Sequence, residues 1–227
     1  MNLIWMIDIL FVDVRDLTES AFPEYLDCLT QTELQRTMTY RFFTAQKLTA
    51  FGILLIKHYF FQKYGMTNLV IMFKENGKPY IPGNISFSIS HSQNITCAAF
   101  CEKEIGVDIE FRRTVSFKEI SRRFNTEEQV FIENSLNTEK AFFYIWTRKE
   151  ALLKAMGIGF AQNLLKYNCV KPKITNITDA IESAWYLQSF NLRDNFTGAV
   201  CIKNAMDEYT ITELMFPNLL RKVCADV

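Results

Sequence analysis

The stretch Ile105-Gly106-Val107-Asp108-Ile109-Glu110 alternates apolar and acidic side chains, which is typical of a β-strand with two different faces. On such a strand Val107 and Ile109 share one face, whereas Asp108 and Glu110 share the other. Carboxylates two residues apart lie about 7 Å from each other, close enough to bind one divalent cation such as Mg²⁺. An edge strand with an apolar inner face and a charged outer face shows the same alternation, so the motif alone leaves both interpretations open.

The composition indicates a soluble globular protein. Its 227 residues, 49% of them hydrophobic, suffice for one large domain or two small ones. Because 25 basic residues balance 25 acidic ones, no overall charge favours nucleic acid or an anionic membrane as a partner. Any anionic ligand must therefore be bound locally.

The apolar start of the chain, Met1 to Val14, is interrupted by Asp8 and Asp13, which favours a first strand over a membrane span. No secretory signal is recognisable, so we expect a cytoplasmic protein. The cysteines show no metal-type spacing, and we expect reduced core residues. They are Cys28, Cys97, Cys101, Cys169, Cys201 and Cys224.

The first half of the chain reads as a strand, helices and an antiparallel meander. Leu3–Val12 is the predicted strand, and a helical pattern begins near Thr30. Thr44–Tyr64 predicts one long packed helix, with Gly65 where a C-terminal cap would stand. The predicted meander comprises Leu69–Phe73, Ile85–Ile89, Thr96–Phe100 and the strand carrying Asp108 and Glu110.

The second half begins with helices. Ser116 with Glu119, and Thr126 with Gln129, have the capping-box spacing and predict two short helices. Asn137-Thr138 opens a longer helix that runs to about Met156 and ends at Gly157. After a loop rich in Lys, Pro, Asn and Thr, three alternating runs predict an antiparallel sheet: Ala184–Phe190, Phe196–Ile202 and Tyr209–Leu214. The two halves do not align as a sequence repeat.

The long helix of the second half carries Trp146-Thr147-Arg148-Lys149-Glu150-Ala151-Leu152-Leu153-Lys154. Glu150 and Lys154 are four residues apart and share a helix face. Taken alone they match an ordinary exposed ion pair, worth a few tenths of a kcal/mol. Trp146, Leu153 and Phe143 read as core residues.

The chain has two histidines. His58 lies within the long apolar helix, where a packing or surface role is expected. His91 stands between two serines, in a predicted polar loop after a strand, where a ring nitrogen can meet a phosphate.

These motifs together resemble the Sfp-type 4'-phosphopantetheinyl transferases. The tryptophan before Lys-Glu-Ala resembles the W/KEA subgroup of that family. The matching motifs, in the family's order, are Gly77-Lys78-Pro79-Tyr80, Ser90-His91-Ser92, Gly106–Glu110, Arg123-Phe124, Trp146–Ala151 and Lys154-Ala155.

The resemblance implies an α+β fold of two similar subdomains arranged as a pseudo-dimer, with residues 1–110 in one, 111–227 in the other and the active site in the cleft between them. It implies a monomeric enzyme that moves 4'-phosphopantetheine from coenzyme A to a serine of an apo acyl, peptidyl or polyketide carrier protein. Adenosine 3',5'-bisphosphate is the other product.

The resemblance also implies roles for the acidic residues. Asp108, Glu110 and Glu150 would hold Mg²⁺, or Mn²⁺, against the pyrophosphate of coenzyme A. Asp108, Glu150 and Lys154 would be catalytic, with Glu150 accepting the serine proton and Lys154 neutralising the departing phosphate.

Further residues are implied as coenzyme A ligands. His91 would bind the 3'-phosphate, with Lys78 and Ser90 near the nucleotide, and Lys149 would contact the pyrophosphate or the 3'-phosphate. Many relatives carry an arginine where this chain has Leu48, and the neighbouring Lys47 would substitute for it as a point charge.

Two other classes of function use the same residues. A Mg²⁺-dependent pyrophosphate hydrolase could employ the three carboxylates with water in place of the serine. A non-catalytic module that binds coenzyme A or a carrier domain would not require all of Asp108, Glu110, Glu150 and Lys154. The sequence does not select the carrier, the acyl-coenzyme A tolerance or the preferred metal.

Overall fold

The computed structural model describes residues 6–74, 77–114, 116–158, 165–178, 181–204 and 208–223. Within these ranges the chain is an α+β protein, as predicted, with helices packed on two four-stranded sheets and a small two-stranded sheet beside them.

The first half contains the predicted long helix. Its elements are β1 (Ile7–Asp13), α1 (Pro23–Leu26), α2 (Gln31–Met38), α3 (Phe43–Tyr64), β2 (Met72–Phe73), β3 (Pro79–Tyr80), β4 (Ser86–Ser92) and β5 (Ile95–Cys101). Helix α3 ends at Gly65, whose φ of 67° is the left-handed conformation that glycine adopts without strain. Despite the apolar character of α3, no helix among the described residues is long and apolar enough to span a membrane.

The second half carries the other long helix and the second sheet. Its elements are β6 (Ile105–Phe111), α4 (Lys118–Ser121), α5 (Thr126–Glu133), α6 (Thr138–Met156), β7 (Lys173–Thr178), β8 (Ile181–Leu192), β9 (Phe196–Lys203), β10 (Tyr209–Leu214) and α7 (Phe216–Val223). As predicted, α6 begins after Asn137, whose side chain accepts a hydrogen bond from the Lys140 N–H, and ends at Gly157.

The two predicted capping boxes of this half are wrong in detail. Helix α4 begins at Lys118 with Phe117 at its N-cap, so Ser116 caps nothing. The second box lies one residue earlier than predicted. The Asn125 side chain caps α5 by accepting the N–H of Glu128, and the Glu128 side chain accepts the N–H of Asn125. Asparagine is the stronger N-cap, which explains the shift.

Strand β10 does not join the second sheet, and this corrects the predicted topology. The first sheet has the order β10-β1-β5-β4, with β10 parallel to β1 and Ile9 opposite Ile211. The second sheet has the order β6-β9-β8-β7, and β7 comes from a stretch predicted as a loop. Alternation shows that Tyr209–Leu214 is a strand but does not select its partner, since both sheets offer an edge.

A hydrophobic core lies between the two sheets. Ile7, Ile9 and Phe11 from β1 pack in one cluster with Val107 and Ile109 from β6. Helix α3 covers the opposite face of the first sheet, and α6 covers the opposite face of the second. The predicted alternation of β6 is therefore confirmed: its apolar residues face the core between the sheets.

The two sheets repeat one strand order. Strands β1-β5-β4 are matched by β6-β9-β8, antiparallel in both cases, and each set has a long helix between its first and second strands. This repeat supports the predicted pseudo-dimer, which stays a prediction together with the division at residues 110 and 111. Sheet membership crosses that division in both directions, because β6 belongs to the second sheet and β10 to the first.

Four cysteines are free and buried, as predicted: Cys97, Cys101, Cys169 and Cys201. Cys28 differs from the prediction because it is disulfide-bonded. Cys224 lies outside the described residues.

Candidate active site

The predicted site residues of β6 and α6 meet where these two elements pack together. Lys154 places its Nζ 2.8 Å from Oδ1 of Asp108. The Ser90 hydroxyl donates to the same oxygen at 2.7 Å. The Glu-to-Lys helix face predicted from the sequence is therefore turned toward the acidic face of the strand.

Glu110 is held by two donors that the sequence interpretation missed. Ser92 Oγ donates to its Oε2 at 3.0 Å, and Trp146 Nε1 donates to its Oε1 at 3.2 Å. Trp146 was predicted to be a core residue, but it is only partly buried and its indole N–H reaches the site. The alternation of Ser90 and Ser92, which repeats that of the two acidic residues, is the signal that could have revealed this pairing.

The same two serines join the sheets at their edges. Ser90 Oγ accepts the N–H of Ile109 at 3.3 Å, and Ser92 Oγ accepts the N–H of Phe111 at 3.0 Å. These hydroxyls satisfy backbone donors on the open edge of β6, which would otherwise lack a strand partner. Strand β4 thereby fixes both the backbone of β6 and the orientation of its carboxylates.

Gly106 allows α6 to lie close to β6. A Cβ atom at this position would be 2.0 Å from the carbonyl oxygen of Ala151 and 2.4 Å from the nitrogen of Ala155. Only glycine fits at such a distance. The small residues of both motifs therefore set the spacing between the strand carboxylates and the helix residues Glu150 and Lys154.

Glu150 lies in an environment that disfavours its charge. Burial, together with the negative charge of Asp108 and more weakly that of Glu110, raises the pKa of Glu150 to about 7, although Lys154 opposes the change. Burial and Asp108 likewise raise the pKa of Glu110, against the hydrogen bonds from Ser92 and Trp146. The site therefore contains surplus negative charge.

A cavity of about 270 Å³ opens beside this cluster. Lys78 lies in its wall and donates to the carbonyl oxygen of Lys154 at 2.6 Å. Burial and the nearby Lys74 lower the pKa of Lys78. The lining residues are Gly77, Lys78, Pro79, Ser88, Ile89, Leu153, Lys154, Gly157 and Ile158.

His91 lies in strand β4 opposite Thr96, not in a loop after the strand as predicted. The strand continues to Ser92 because both serines pair with β6, which the sequence alone does not show. The ring reaches solvent, yet the surrounding protein and the charge of Lys154 lower the pKa of His91. It is therefore largely neutral at pH 7 in the absence of an anion.

Two of the predicted ligands have their ammonium groups elsewhere. Lys149 is 2% exposed, and its Nζ lies 2.8 Å from Glu128 on the opposite side of α6 from Asp108. Lys47 is 5% exposed, and its Nζ donates to the carbonyl oxygen of Val14 at 2.7 Å. The structure therefore brings Lys78, Ser90 and His91 to the cluster region but not Lys47 or Lys149.

The carboxylates of the cluster are the predicted ligands of a metal ion. Among the described residues no three His, Cys, Asp or Glu side chains form a ready metal site. However, Oδ2 of Asp108 is buried and finds no hydrogen-bond partner in the described part of the chain. Carboxylate oxygens are the ligands that Mg²⁺ prefers, and the raised pKa values of Glu110 and Glu150 indicate charge that a cation would neutralise. The donor set therefore fits Mg²⁺.

Comparison with known proteins gives the same region. A family model described as the 4'-phosphopantetheinyl transferase superfamily matches residues 104–202, which include Asp108, Glu110, Glu150 and Lys154. The relatives include three named 4'-phosphopantetheinyl transferases. These are gsp of Aneurinibacillus migulanus, 29% identical over 160 residues (68% of this chain and 67% of that protein); psf-1 of Bacillus pumilus, 24% over 193 residues (81% and 83%); and Sfp of Bacillus subtilis strain 168, 27% over 182 residues (76% and 81%).

The matched region and the similarity to these relatives together support a 4'-phosphopantetheinyl transferase. The similarity to Sfp, gsp and psf-1 places it with the Sfp-type enzymes, as the sequence motifs predicted.

Proposed function

We propose that this enzyme transfers the 4'-phosphopantetheine group of coenzyme A to a serine of an apo carrier protein and releases adenosine 3',5'-bisphosphate. The observation that carries the proposal is the contact between the two motifs: Lys154 of α6 lies 2.8 Å from Asp108 of β6, beside the cavity and next to Glu150. Phosphoryl transfer requires mainly positioned charges around the reacting phosphate, and this cluster supplies them.

Glu150 is the residue that we propose accepts the proton of the carrier serine. Without metal, burial and Asp108 raise the pKa of Glu150 to about 7. A cation bound beside it would lower this pKa and keep Glu150 ionised, so that it can accept the proton directly or through water. The serine oxygen then forms a bond to the phosphorus of the phosphopantetheine group, and the bond from that phosphorus to the adenosine phosphate breaks. Lys154 stabilises the charge on the departing phosphate.

Asp108, Glu110 and Glu150 are proposed to hold Mg²⁺, with Mn²⁺ as an alternative. When bound, the metal would supply positive charge to the pyrophosphate of coenzyme A. The hydrogen bonds from Ser90, Ser92 and Trp146 would orient the metal ligands Asp108 and Glu110.

The cavity is the proposed site for coenzyme A. Lys78 in its wall and His91 at the edge of the cluster remain the candidates for phosphate contacts. A bound 3'-phosphate would raise the pKa of His91 and so favour its charged form. Lys47 and Lys149 are less suitable than the sequence suggested, because each already contacts a buried oxygen of the protein. Their use would require rearrangement.

The carrier protein, the cytoplasmic location and the monomeric state remain proposals drawn from the sequence. An acidic carrier domain would dock beside the cleft, where it can present its serine to Glu150.

Intact-mass spectrometry of an apo carrier protein tests the function. The carrier is incubated with the enzyme, coenzyme A and Mg²⁺, and a matched sample contains a chelator. We expect a mass increase of one phosphopantetheine group in the first sample alone. Asp108→Asn is the control variant, expected to stay folded and to leave the carrier unmodified.

Two other results would point to different functions. Cleavage of coenzyme A without modification of several unrelated carriers would indicate a pyrophosphate hydrolase. Binding of coenzyme A without any reaction would indicate a binding module.

A further inference from the structure

A buried ion pair joins the short helix α5 to the long helix α6. Lys149 Nζ lies 2.8 Å from Glu128, and the two side chains are 2% and 0% exposed. Glu128 also accepts the N–H of Cys169 at 2.7 Å, while Lys149 donates to the carbonyl oxygen of Tyr167 at 2.9 Å. We call this Glu128–Lys149 pair, with its two backbone partners, the C-terminal latch.

The first half contains the same arrangement between α2 and α3. Lys57 Nζ lies 2.9 Å from Glu33, with side chains 7% and 0% exposed. Glu33 accepts the N–H of Ile71 at 3.4 Å, and Lys57 donates to the carbonyl oxygen of Cys28 at 3.1 Å. We call this Glu33–Lys57 pair and its backbone partners the N-terminal latch.

Both glutamates also occupy the same helix position. Glu33 and Glu128 are each the third residue of an eight-residue helix, and each closes a capping box, with Thr30 and Asn125 respectively. The agreement in helix position, lysine partner and backbone donor makes the latches equivalent in the two repeated halves. Neither half's sequence revealed this, because the spacings between the residues differ.

The first strands of the halves support the equivalence. Ile7-Asp8-Ile9-Leu10-Phe11 of β1 corresponds to Val107-Asp108-Ile109-Glu110-Phe111 of β6. Asp8 pairs with Lys63 of α3 at 2.7 Å, as Asp108 pairs with Lys154 of α6 at 2.8 Å. The first half lacks the second carboxylate, since Leu10 stands where β6 has Glu110.

The surroundings of the two latches differ in one respect. Lys149 is followed by Glu150, whereas Lys57 is followed by His58. In addition, the guanidinium of Arg148 donates to the carbonyl oxygens of Cys169 and Lys171 at 2.5 and 2.8 Å. Two successive side chains therefore fasten the back of α6 to one segment of the chain.

This fastening determines where Glu150 points. Successive residues of an α-helix are about 100° apart around its axis, so the direction of Lys149 fixes that of Glu150. A rotation of α6 that releases Lys149 from Glu128 also turns Glu150 and Lys154 relative to Asp108. The front of α6 is already held by its close contact with Gly106.

We propose that Glu128 and Lys149 are positioning residues of the transferase, which hold the rotation of α6 so that Glu150 and Lys154 face Asp108. The inference rests on the proposed function and assigns Lys149 a role inside the protein instead of on coenzyme A. The N-terminal latch performs the same packing task without catalytic neighbours, and it therefore serves as a matched control.

Two paired variants test the proposal: Glu128→Gln with Lys149→Met, and Glu33→Gln with Lys57→Met. Changing both partners avoids leaving one charge buried and unpaired, which by itself would destabilise either half. Thermal unfolding, kcat and the KM for coenzyme A are measured for both variants and the wild type.

We expect both variants to lose similar thermal stability. Only the variant of the C-terminal latch should lose kcat, by at least about tenfold, because misplacement of catalytic groups by about 1 Å has effects of this size or larger. Its KM for coenzyme A should change by less than about threefold, as for a residue that does not bind the substrate. The variant of the N-terminal latch should keep kcat within about twofold of the wild type.

Equal losses of kcat in the two variants would overturn the proposal, because the latches would then contribute stability alone. An unchanged kcat with a strongly raised KM would overturn it as well and would make Lys149 a ligand of coenzyme A.

Inactivity of the wild type toward all carriers would instead contradict the proposed function. In that case, amide hydrogen exchange at residues 150–154 tests whether the C-terminal latch holds α6 in place. Faster exchange in the Glu128→Gln, Lys149→Met variant alone supports the proposal, and unchanged exchange overturns it.

Discussion

At the scale of single residues, the ionised form of Glu150 is the one that the proposed proton transfer requires, but it lowers the stability of the folded protein. Its pKa rises from 4.5 to about 7 because folding buries the carboxyl group next to Asp108. The folded state therefore binds this proton more tightly than the unfolded state. The resulting stabilisation is complete below about pH 4.5 and is lost as the pH rises through about 7.

Glu150→Gln should remove both the loss of stability that accompanies ionisation of Glu150 and the proposed base. We expect the metal-free variant to have a higher Tm than the wild type at pH 8, by a few degrees, and a similar Tm near pH 4.5. The same variant should not modify a carrier protein. Thermal unfolding across this pH range and intact-mass spectrometry provide the two measurements.

Glu133→Gln is the control, since Glu133 is an exposed carboxylate on α5. It should change neither Tm nor transfer. A lower Tm for Glu150→Gln at pH 8 would contradict the assigned environment of Glu150.

Trp146→Phe isolates the hydrogen bond to Glu110, because phenylalanine keeps an aromatic ring against Phe142 and lacks the indole N–H. This bond lowers the pKa of Glu110, so its loss should raise that pKa further. We expect the transfer rate to fall about tenfold or more, as for other groups that orient a metal ligand. The acid limb of the plot of rate against pH, where the rate falls as the pH decreases, should move to higher pH. Steady-state rates from pH 5.5 to 8.5 measure both effects.

Trp185→Phe provides the comparison. The Trp185 Nε1 is buried and has no hydrogen-bond partner among the described residues, so its removal should leave the acid limb in place. An acid limb that moves equally in both variants would show that Trp146 acts through packing alone.

The sequence predicted which charged residues of β6 and α6 form the site, but not the contacts that hold these two elements in place. Periodicity placed Glu150 and Lys154 on one face of α6, and the structure brings that face to Asp108. Helical spacing does not reveal that Lys149 meets Glu128, because that contact depends on how α5 packs. The roles of Ser92 and Trp146 likewise depend on β4 and α6 meeting at one edge.

At the scale of elements, the spacing of α6 and β6 depends on Gly106. Gly106→Ala would force its Cβ against backbone atoms of α6 at 2.0 and 2.4 Å, which side-chain movement cannot relieve. We expect a loss of about 3 kcal/mol or more in the free energy of unfolding, together with loss of transfer. Urea unfolding and the carrier assay are the measurements.

Gly52→Ala in α3 is the matched substitution in the first half. Its Cβ would meet Cγ2 of Ile89 at 3.2 Å, and this side chain can move. Alanine also favours the helix by up to about 1 kcal/mol, so we expect little net change in stability. Equal destabilisation by the two substitutions would contradict the special role of Gly106.

The elements also show where sequence patterns are sufficient. Both long helices were predicted nearly to the residue, since their glycine caps and apolar spacing are local signals. Strand β7 was missed because its residues are mostly polar, and β10 was assigned to the wrong sheet because alternation carries no information on the partner strand. Strand pairing between distant segments is decided by packing of the whole chain.

At the scale of the molecule, each half contributes a strand to the sheet of the other half. Strand β6 follows the first half in sequence and pairs with β9, whereas β10 closes the first sheet beside β1. We therefore expect a single unfolding transition with equal calorimetric and van't Hoff enthalpies. Two separate transitions would contradict this coupling.

A fragment of residues 1–110 gives a second measure of the same coupling. It would contain β6 without β9 and β1 without β10. We expect it to lack a cooperative transition in urea, although it contains the whole of α3.

The parallel pairing of β10 with β1 also has a consequence for synthesis on the ribosome. Residues 7–12 leave the exit tunnel early, but their partners at 209–214 are joined to the chain about two hundred residues later. Until then one edge of β1 has no strand beside it, and contacts between such distant segments form slowly. A nascent chain stalled before residue 209 should therefore be more susceptible to protease and to chaperone binding than one released after residue 223.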